Sequence, residues 1–111
     1  MIKNLINKIT KKLFQDYFDK KLILEAIKIS SSNLKKNKIK NFSDIEFQVF
    51  SQWGEDGIID WLIHKIDNLP QIFLEIGTQD YLESNTRYLL QNKNWDGYLI
   101  EASTKDVKKI K

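Results

Sequence analysis

The chain has 111 residues, of which 41% are hydrophobic and 12% aromatic, enough for one small core and not the composition of a disordered protein. It contains no cysteine and one histidine, which excludes disulfides, thiolate metal sites and the usual zinc clusters. No apolar run reaches the roughly 18 residues of a membrane span. The Lys-rich start also lacks the apolar core of a signal peptide, so we expect a cytoplasmic location.

The net charge of +3 is divided unevenly along the chain. Residues 1–40 carry eleven Lys against three acidic residues, whereas residues 41–111 carry seven basic against twelve acidic residues. The basic character therefore belongs to a separate front segment and not to the acidic remainder, where the motifs lie. For this reason we expect no nucleic-acid partner.

The front third is predicted to be helical and basic. Apolar residues recur at three- and four-residue spacing from Ile2 to Tyr17 with Lys between them, which predicts a helix with one apolar face. Leu22 to Ile29 predicts a second helix, and the polar residues 30–41 predict a linker. We therefore divide the chain into a basic helical segment with linker, residues 1–41, and a candidate domain, residues 42–111.

The candidate domain has the order helix, strand, helix, strand. An apolar stripe predicts a helix over 55–66, and Pro70 stops it. The continuous apolar run 72–76 predicts a strand buried on both faces of a parallel sheet. Ser84 is expected to cap a helix that runs to Asn92, and after a turn at 95–97 a second strand covers 98–100. The single histidine and the three tryptophans are interpreted as core residues: His64, Trp53, Trp61 and Trp95.

Glycine and carboxylates follow the two predicted strands at the positions where an open parallel sheet binds ligands. Gly77 ends the first strand, where the backbone must approach a ligand closely, and Glu101 ends the second strand, 24 residues later. That distance is close to the spacing of about 20 at which an acidic residue accepts hydrogen bonds from ribose hydroxyls. Glu75 and Asp80 add negative charge for a sulfonium and an ammonium, so we expect S-adenosylmethionine as the ligand.

Each of these residues also has a structural interpretation. Gly77 is compatible with a simple turn, and Glu101 with a solvated strand end. Asp80 is compatible with favouring the next helix through its dipole. The N-terminus of that helix is itself expected to offer free N–H groups to the carboxylate of a methionine moiety.

Three segments together resemble a known family. They are SQWGEDGII at 51–59, FLEIGTQDYLESNTRYLL at 73–90 and WDGYLIEAS at 95–103. The combination resembles the amino-terminal half of FkbM-like S-adenosylmethionine-dependent methyltransferases over about residues 45 to 103, and leaves the Lys-rich front unaccounted for.

The resemblance implies a Rossmann-like methyltransferase fold and a set of cofactor-binding residues. It implies that Glu75 and Gly77 belong to the first cofactor motif and that Glu101 binds the ribose. Gln52, Glu55 and Asp56 would border the cofactor cleft, and Asn85 and Arg87 would belong to the helix after the motif. A capped, solvated helix start is the alternative for Gln52, Glu55 and Asp56.

Two departures from the family pattern stand out. First motifs of such enzymes commonly have further glycines where this chain has Gln79 and Tyr81. A complete methyltransferase sheet has about seven strands, and only two are predicted here, so we expect an α/β Rossmann-like fold truncated after the second parallel strand, from a fragment or split reading frame. The residues that would position the methyl acceptor are missing, so no catalytic residue can be named.

Two functions remain open from the sequence. In the first, the chain is the cofactor-binding portion of a methyltransferase acting on an oxygen or nitrogen of a small-molecule or glycan acceptor, without a metal. In the second, it is a non-catalytic interaction module whose basic amphipathic segment, residues 1–29, docks on an anionic membrane or a partner protein. The structural alternative for this segment is an ordinary surface helix packed on the domain.

Overall fold

The computed structural model describes residues 1–110, which form a mixed α/β structure. The helices and strands, in chain order, are α1 (Ile2–Asn33), a short 3-10 helix (Phe42–Asp44), α2 (Glu55–Lys65), β1 (Ile72–Ile76), α3 (Arg87–Lys93), β2 (Asp96–Ile100) and α4 (Thr104–Val107). The two strands make a two-stranded parallel sheet. None of the helices within residues 1–110 combines the length and apolar content needed to cross a membrane.

Helix α1 is a single helix of 32 residues, so the prediction of two helices and of a linker beginning at residue 30 is wrong. The apolar pattern weakens near residue 20, but no Gly or Pro is present there to end the helix. Polar contacts then extend it to its last turn. The Ser30 hydroxyl donates to Asp60 Oδ2 at 2.5 Å, and the Asn33 amide donates to the Ile45 carbonyl at 3.0 Å.

The core lies between the second half of α1, the segment that precedes α2, and α3. Its buried members are Ala26, Phe47, Phe50 and Tyr88. The rings of Phe47 and Tyr88 pack edge to face with centroids 5.4 Å apart, which is a favourable aromatic geometry. Although α1 belongs to the basic front segment, it thus supplies one wall of the core.

The sheet confirms the prediction of two neighbouring parallel strands. Its register pairs Ile72 with Asp96 and Ile76 with Ile100, so the carboxyl ends of both strands lie side by side. Asp96 and Gly97 belong to β2 and not to a turn, since the strand begins two residues earlier than predicted.

The prediction that β1 is buried on both faces is wrong. One face of the sheet carries large apolar side chains that are about half exposed or more, namely Ile72, Leu74, Ile76, Tyr98 and Ile100. Within residues 1–110 no further layer covers this face. The opposite face, with Phe73, Glu75 and Leu99, is partly buried.

The residues interpreted as core residues differ in how deeply they are buried. Trp95 is buried, as predicted, whereas Trp53 is 76% exposed and His64 is exposed. Trp53 lies in the irregular segment before α2, where it has no helical face to direct its side chain inward.

Candidate functional site

The parallel register brings Gly77 and Glu101 to the same edge of the sheet. Gly77 follows β1 and donates its backbone N–H to the carbonyl of Ile100 at 2.8 Å. Glu101 follows β2, and its Oε2 accepts the backbone N–H of Gln79 at 2.6 Å. The prediction that these two residues lie together at the carboxyl ends of the strands, here called the rim, is therefore confirmed.

The Glu101 carboxylate holds the rim together through backbone N–H groups. Its second oxygen, Oε1, accepts the N–H of Ser103 at 2.8 Å. The hydrogen bonds from Ser103 and then Gln79 favour the charged form, so they hold the pKa of Glu101 below its ordinary value. Because each carboxylate oxygen has two lone pairs, each can still accept one further donor such as a hydroxyl.

Three residues of the loop after β1 have a left-handed backbone. They are Gly77 with φ +78°, Gln79 with φ +50° and Tyr81 with φ +62°. A Cβ built on Gly77 would meet nothing within 4 Å, so its backbone faces open space. Left-handed geometry costs a residue with a side chain roughly 1 kcal/mol or more, and glycine avoids that cost. Gln79 and Tyr81 therefore have a backbone geometry that favours glycine.

Glu75 organises the far end of the same loop. Its carboxylate accepts the backbone N–H groups of Asn85 and Thr86, both at 3.1 Å, and the hydroxyl of Ser84 at 2.6 Å. The Thr86 hydroxyl also donates to it. The N–H groups ahead of α3 therefore already bind an anion, the Glu75 side chain, which replaces the ligand carboxylate expected there.

This network also corrects the predicted start of the second helix. Ser84 does not cap α3, because that helix begins at Arg87 and its N-cap residue is Thr86. Asn85, which the resemblance places in this helix, therefore precedes it. The Ser84 hydroxyl donates to Glu75 and accepts the Thr86 N–H at 3.2 Å. Arg87 itself donates to the Leu82 carbonyl at 2.8 Å and pairs with Asp19 of α1 at 3.3 Å. Arg87 therefore links this loop to α1, and it does not line the cavity that lies beside Glu75.

A small acidic cavity of about 160 Å³ lies beside Glu75. Four of the residues predicted to bind cofactor line it, together with Glu83 and Ser84; the four are Gln52, Glu55, Glu75 and Asn85. The Glu55 carboxylate accepts the N–H groups of Gly54 at 2.9 Å and Trp53 at 3.0 Å. The Gly54 hydrogen bond is the largest cause that lowers the pKa of Glu55, so the cavity carries negative charge at neutral pH.

Asp56 and Asp80 lie apart from this cavity. Asp56 is 1% exposed, and its Oδ2 accepts the backbone N–H groups of Val49, Phe50 and Ser51 at 2.7–2.9 Å. This corrects the expectation that Asp56 borders the cleft, because its carboxylate is enclosed by the segment that it holds. Asp80 accepts the Leu82 N–H at 3.2 Å and lines a separate depression with Lys109.

The sequence interpretation did not identify Ser84, Thr86 and Gln79 as site-building residues. Their roles depend on pairing with Glu75 or Glu101, which lie 9 to 22 residues away along the chain. No local pattern encodes such pairing. Within residues 1–110 no group of three or more His, Asp or Glu side chains is arranged to hold a metal ion. No protein-family model, curated protein or solved structure matches this chain.

Proposed function

We propose that the chain is the S-adenosylmethionine-binding portion of a cytoplasmic methyltransferase with a Rossmann-like fold. The observation that carries the proposal is the contact between the two strand ends, where Gln79 of the loop after β1 donates to Glu101 at the end of β2. In doubly wound α/β proteins, this rim is where a nucleoside binds.

The loop geometry supports the proposal independently of the strands. Gly77 exposes a left-handed backbone to open space at the rim. Gln79 and Tyr81 repeat the left-handed geometry at alternate positions. At Gly77 the absence of a side chain leaves the backbone open to a bound nucleoside.

The charges also fit the methyl donor in part. A sulfonium and an ammonium are cationic, and the cavity lined by Glu55, Glu75 and Glu83 is acidic. Its volume of about 160 Å³ is below the roughly 300 Å³ of a small-molecule site, so it would take only the cationic end. The adenosine would rest on the open rim, where Glu101 would accept from the ribose hydroxyls.

The reaction that such a cofactor supports is in-line transfer of its methyl group to an oxygen or nitrogen. In this chain Glu101 would orient the sugar, while Glu55 and Glu75 would favour the cationic end electrostatically. Orientation and exclusion of water are the main contributions that a protein makes to such a transfer. Gln52 and Asn85 would add amide groups at the cavity wall.

Calorimetric titration with S-adenosylhomocysteine tests the proposal. We expect saturable binding that Glu101→Ala weakens by about tenfold to a hundredfold, as for loss of a charged hydrogen bond. Asp96→Ala is the matched control, because Asp96 is an exposed carboxylate at the opposite end of the same strand. The proposal fails if the wild-type chain shows no binding at millimolar ligand, or if both variants weaken binding equally.

A further inference from the structure

The first half of α1 carries a continuous row of exposed apolar side chains. The row, called here the apolar stripe, consists of residues that are 51–73% exposed: Ile2, Leu5, Ile6, Ile9, Leu13 and Tyr17. Their spacing of three and four residues keeps them on one side of the helix. Contiguous apolar surface of this kind indicates an interaction site more often than chance exposure does.

The contacts of α1 with the rest of the chain lie on a different side of the helix. The buried residues of α1 are Asp19, Ala26, Ser30 and Asn33, which are again spaced by three, four or seven residues. At about 100° per residue, this packed side lies roughly a third of a turn away from the apolar stripe. The stripe therefore stays exposed while the second half of α1 packs on the core.

The charge around the stripe is mostly positive. Residues 2–17, over which the stripe runs, contain one acidic residue, Asp16, and four Lys: Lys3, Lys8, Lys11 and Lys12. At about 100° per residue Lys3 and Lys12 flank the stripe, whereas Lys8 and Lys11 lie on the far side of the helix. All four are exposed. A helix with an apolar row flanked by Lys is the type that lies in the headgroup region of a bilayer, with its apolar side toward the acyl chains. No stretch of α1 is apolar enough to cross a membrane.

We propose that the apolar stripe of α1 docks on a bilayer that contains anionic phospholipid. Charge complementarity selects this occupant over a second copy of α1, because pairing two such helices would bring their Lys side chains together. In the docked state α1 lies parallel to the surface, the stripe enters the acyl boundary, and the flanking Lys3 and Lys12 ammonium groups contact the phosphates. This docking is independent of cofactor binding at the sheet rim.

Vesicle flotation of the full chain tests the docking. We expect binding to vesicles of phosphatidylcholine with phosphatidylglycerol at low salt, and binding weaker by at least about tenfold at high salt or with phosphatidylcholine alone. The variant Leu5→Ser/Ile9→Ser/Leu13→Ser is expected to weaken binding by at least about tenfold, since it removes the apolar contact. Because all three side chains are exposed, its circular dichroism and melting should match the wild type.

Two further variants make the test specific. Lys3→Gln/Lys12→Gln, at the two Lys that flank the stripe, should weaken binding to the anionic vesicles by about fivefold for each Lys and leave the weak binding to phosphatidylcholine unchanged. Tyr98→Ser is the matched control, because Tyr98 is 68% exposed on the open sheet face and lies outside α1. It should bind as the wild type does.

Several outcomes would overturn the proposal. They are wild-type chain that does not float with the anionic vesicles, a triple variant that binds as the wild type does, and loss of binding in Tyr98→Ser. A dimer in light scattering that the triple variant abolishes, without any vesicle binding, would assign the stripe to a second copy instead.

Discussion

Two loops of the molecule are each held by hydrogen bonds to one carboxylate, and the two carboxylates differ in their exposure to solvent. Asp56 holds the loop of residues 45–54, here called the Asp56 loop, and is 1% exposed. Glu75 holds the end of the loop of residues 77–86, here called the Glu75 loop, and lines a cavity. The first loop closes over the core, whereas the second borders open space.

The difference separates structural carboxylates from candidate ligand residues. Both side chains satisfy backbone N–H groups, so a hydrogen-bond count alone does not distinguish them. Exposure does, because a carboxylate without access to solvent cannot meet a ligand. Glu101 extends the series, since it also accepts two backbone N–H groups but lies at the exposed rim.

Removing the Asp56 carboxylate should disorder the Asp56 loop and cause the largest loss of stability. Asp56→Ala leaves three backbone N–H groups, two of them buried and one half-buried, without an acceptor, so we expect a loss of about 3–5 kcal/mol in the free energy of unfolding, measured by urea denaturation. Asp16→Ala, at an exposed Asp of α1, is the control and should change stability by less than about 0.5 kcal/mol. Equal effects would contradict the anchoring role.

Altering Glu75 should loosen the Glu75 loop at a smaller cost. Glu75→Gln places an amide NH₂ group among the donors from Asn85, Ser84 and Thr86, so we expect a loss of about 2 kcal/mol in the same measurement. Glu83→Gln is the control, because Glu83 lines the same cavity but is exposed. A Glu75→Gln variant as stable as Glu83→Gln would show that the network contributes little.

Substitutions at Gln79, whose backbone is left-handed, should change the stability by less, and the direction should depend on the new side chain. Gln79→Gly removes the side chain that disfavours φ +50°, so its stability should equal the wild type or exceed it by up to about 1 kcal/mol. Gln79→Val, with a β-branched side chain, should lose about 1 kcal/mol or more. Thermal melting of both variants measures the difference, and the reverse order would contradict the loop geometry.

The pH dependence of the rim is the smallest expected effect. Hydrogen bonds from Ser103 and Gln79 lower the folded-state pKa of Glu101 below 4.5, so its stabilisation of the rim is complete at higher pH and is lost as pH falls through the lowered pKa. Nuclear magnetic resonance of the Gln79 amide should show a midpoint below 4.5 that Glu101→Gln abolishes. A midpoint at or above 4.5 would mean that the bond to Gln79 is not maintained in solution.

The sequence predicted the parts of the fold that periodicity and chain order encode. It identified α2, β1 and β2, and it predicted that the two strands are parallel neighbours, which places Gly77 beside Glu101. Apolar runs mark the strands, and a helix between two strands favours their parallel pairing. It did not predict that α1 packs through Ala26, Ser30 and Asn33 while its large apolar residues face outward. The hydrophobic pattern marks an apolar side of a helix but does not say which partner covers it.

The site was predicted less completely for a related reason. Gln52, Glu55, Glu75 and Asn85 line one small cavity. The resemblance assigns Gln52, Glu55 and Asp56 to the cleft and Asn85 to the following helix. Asp56, only one position after Glu55, is enclosed, because adjacent residues at a helix start point in different directions. The sequence did not predict that the Glu75 carboxylate binds the N–H groups before α3, since this depends on a tertiary contact between Glu75 and residues 84–86.

The two-stranded sheet described above has a consequence for amide hydrogen exchange. Within residues 1–110 β1 and β2 are each other's sole strand neighbour, so the amides on the outer margin of each strand have no ladder partner. Those amides should exchange with deuterium rapidly, in alternation with slowly exchanging ones between the strands. Slow exchange along an outer margin would reveal that another strand has joined the sheet.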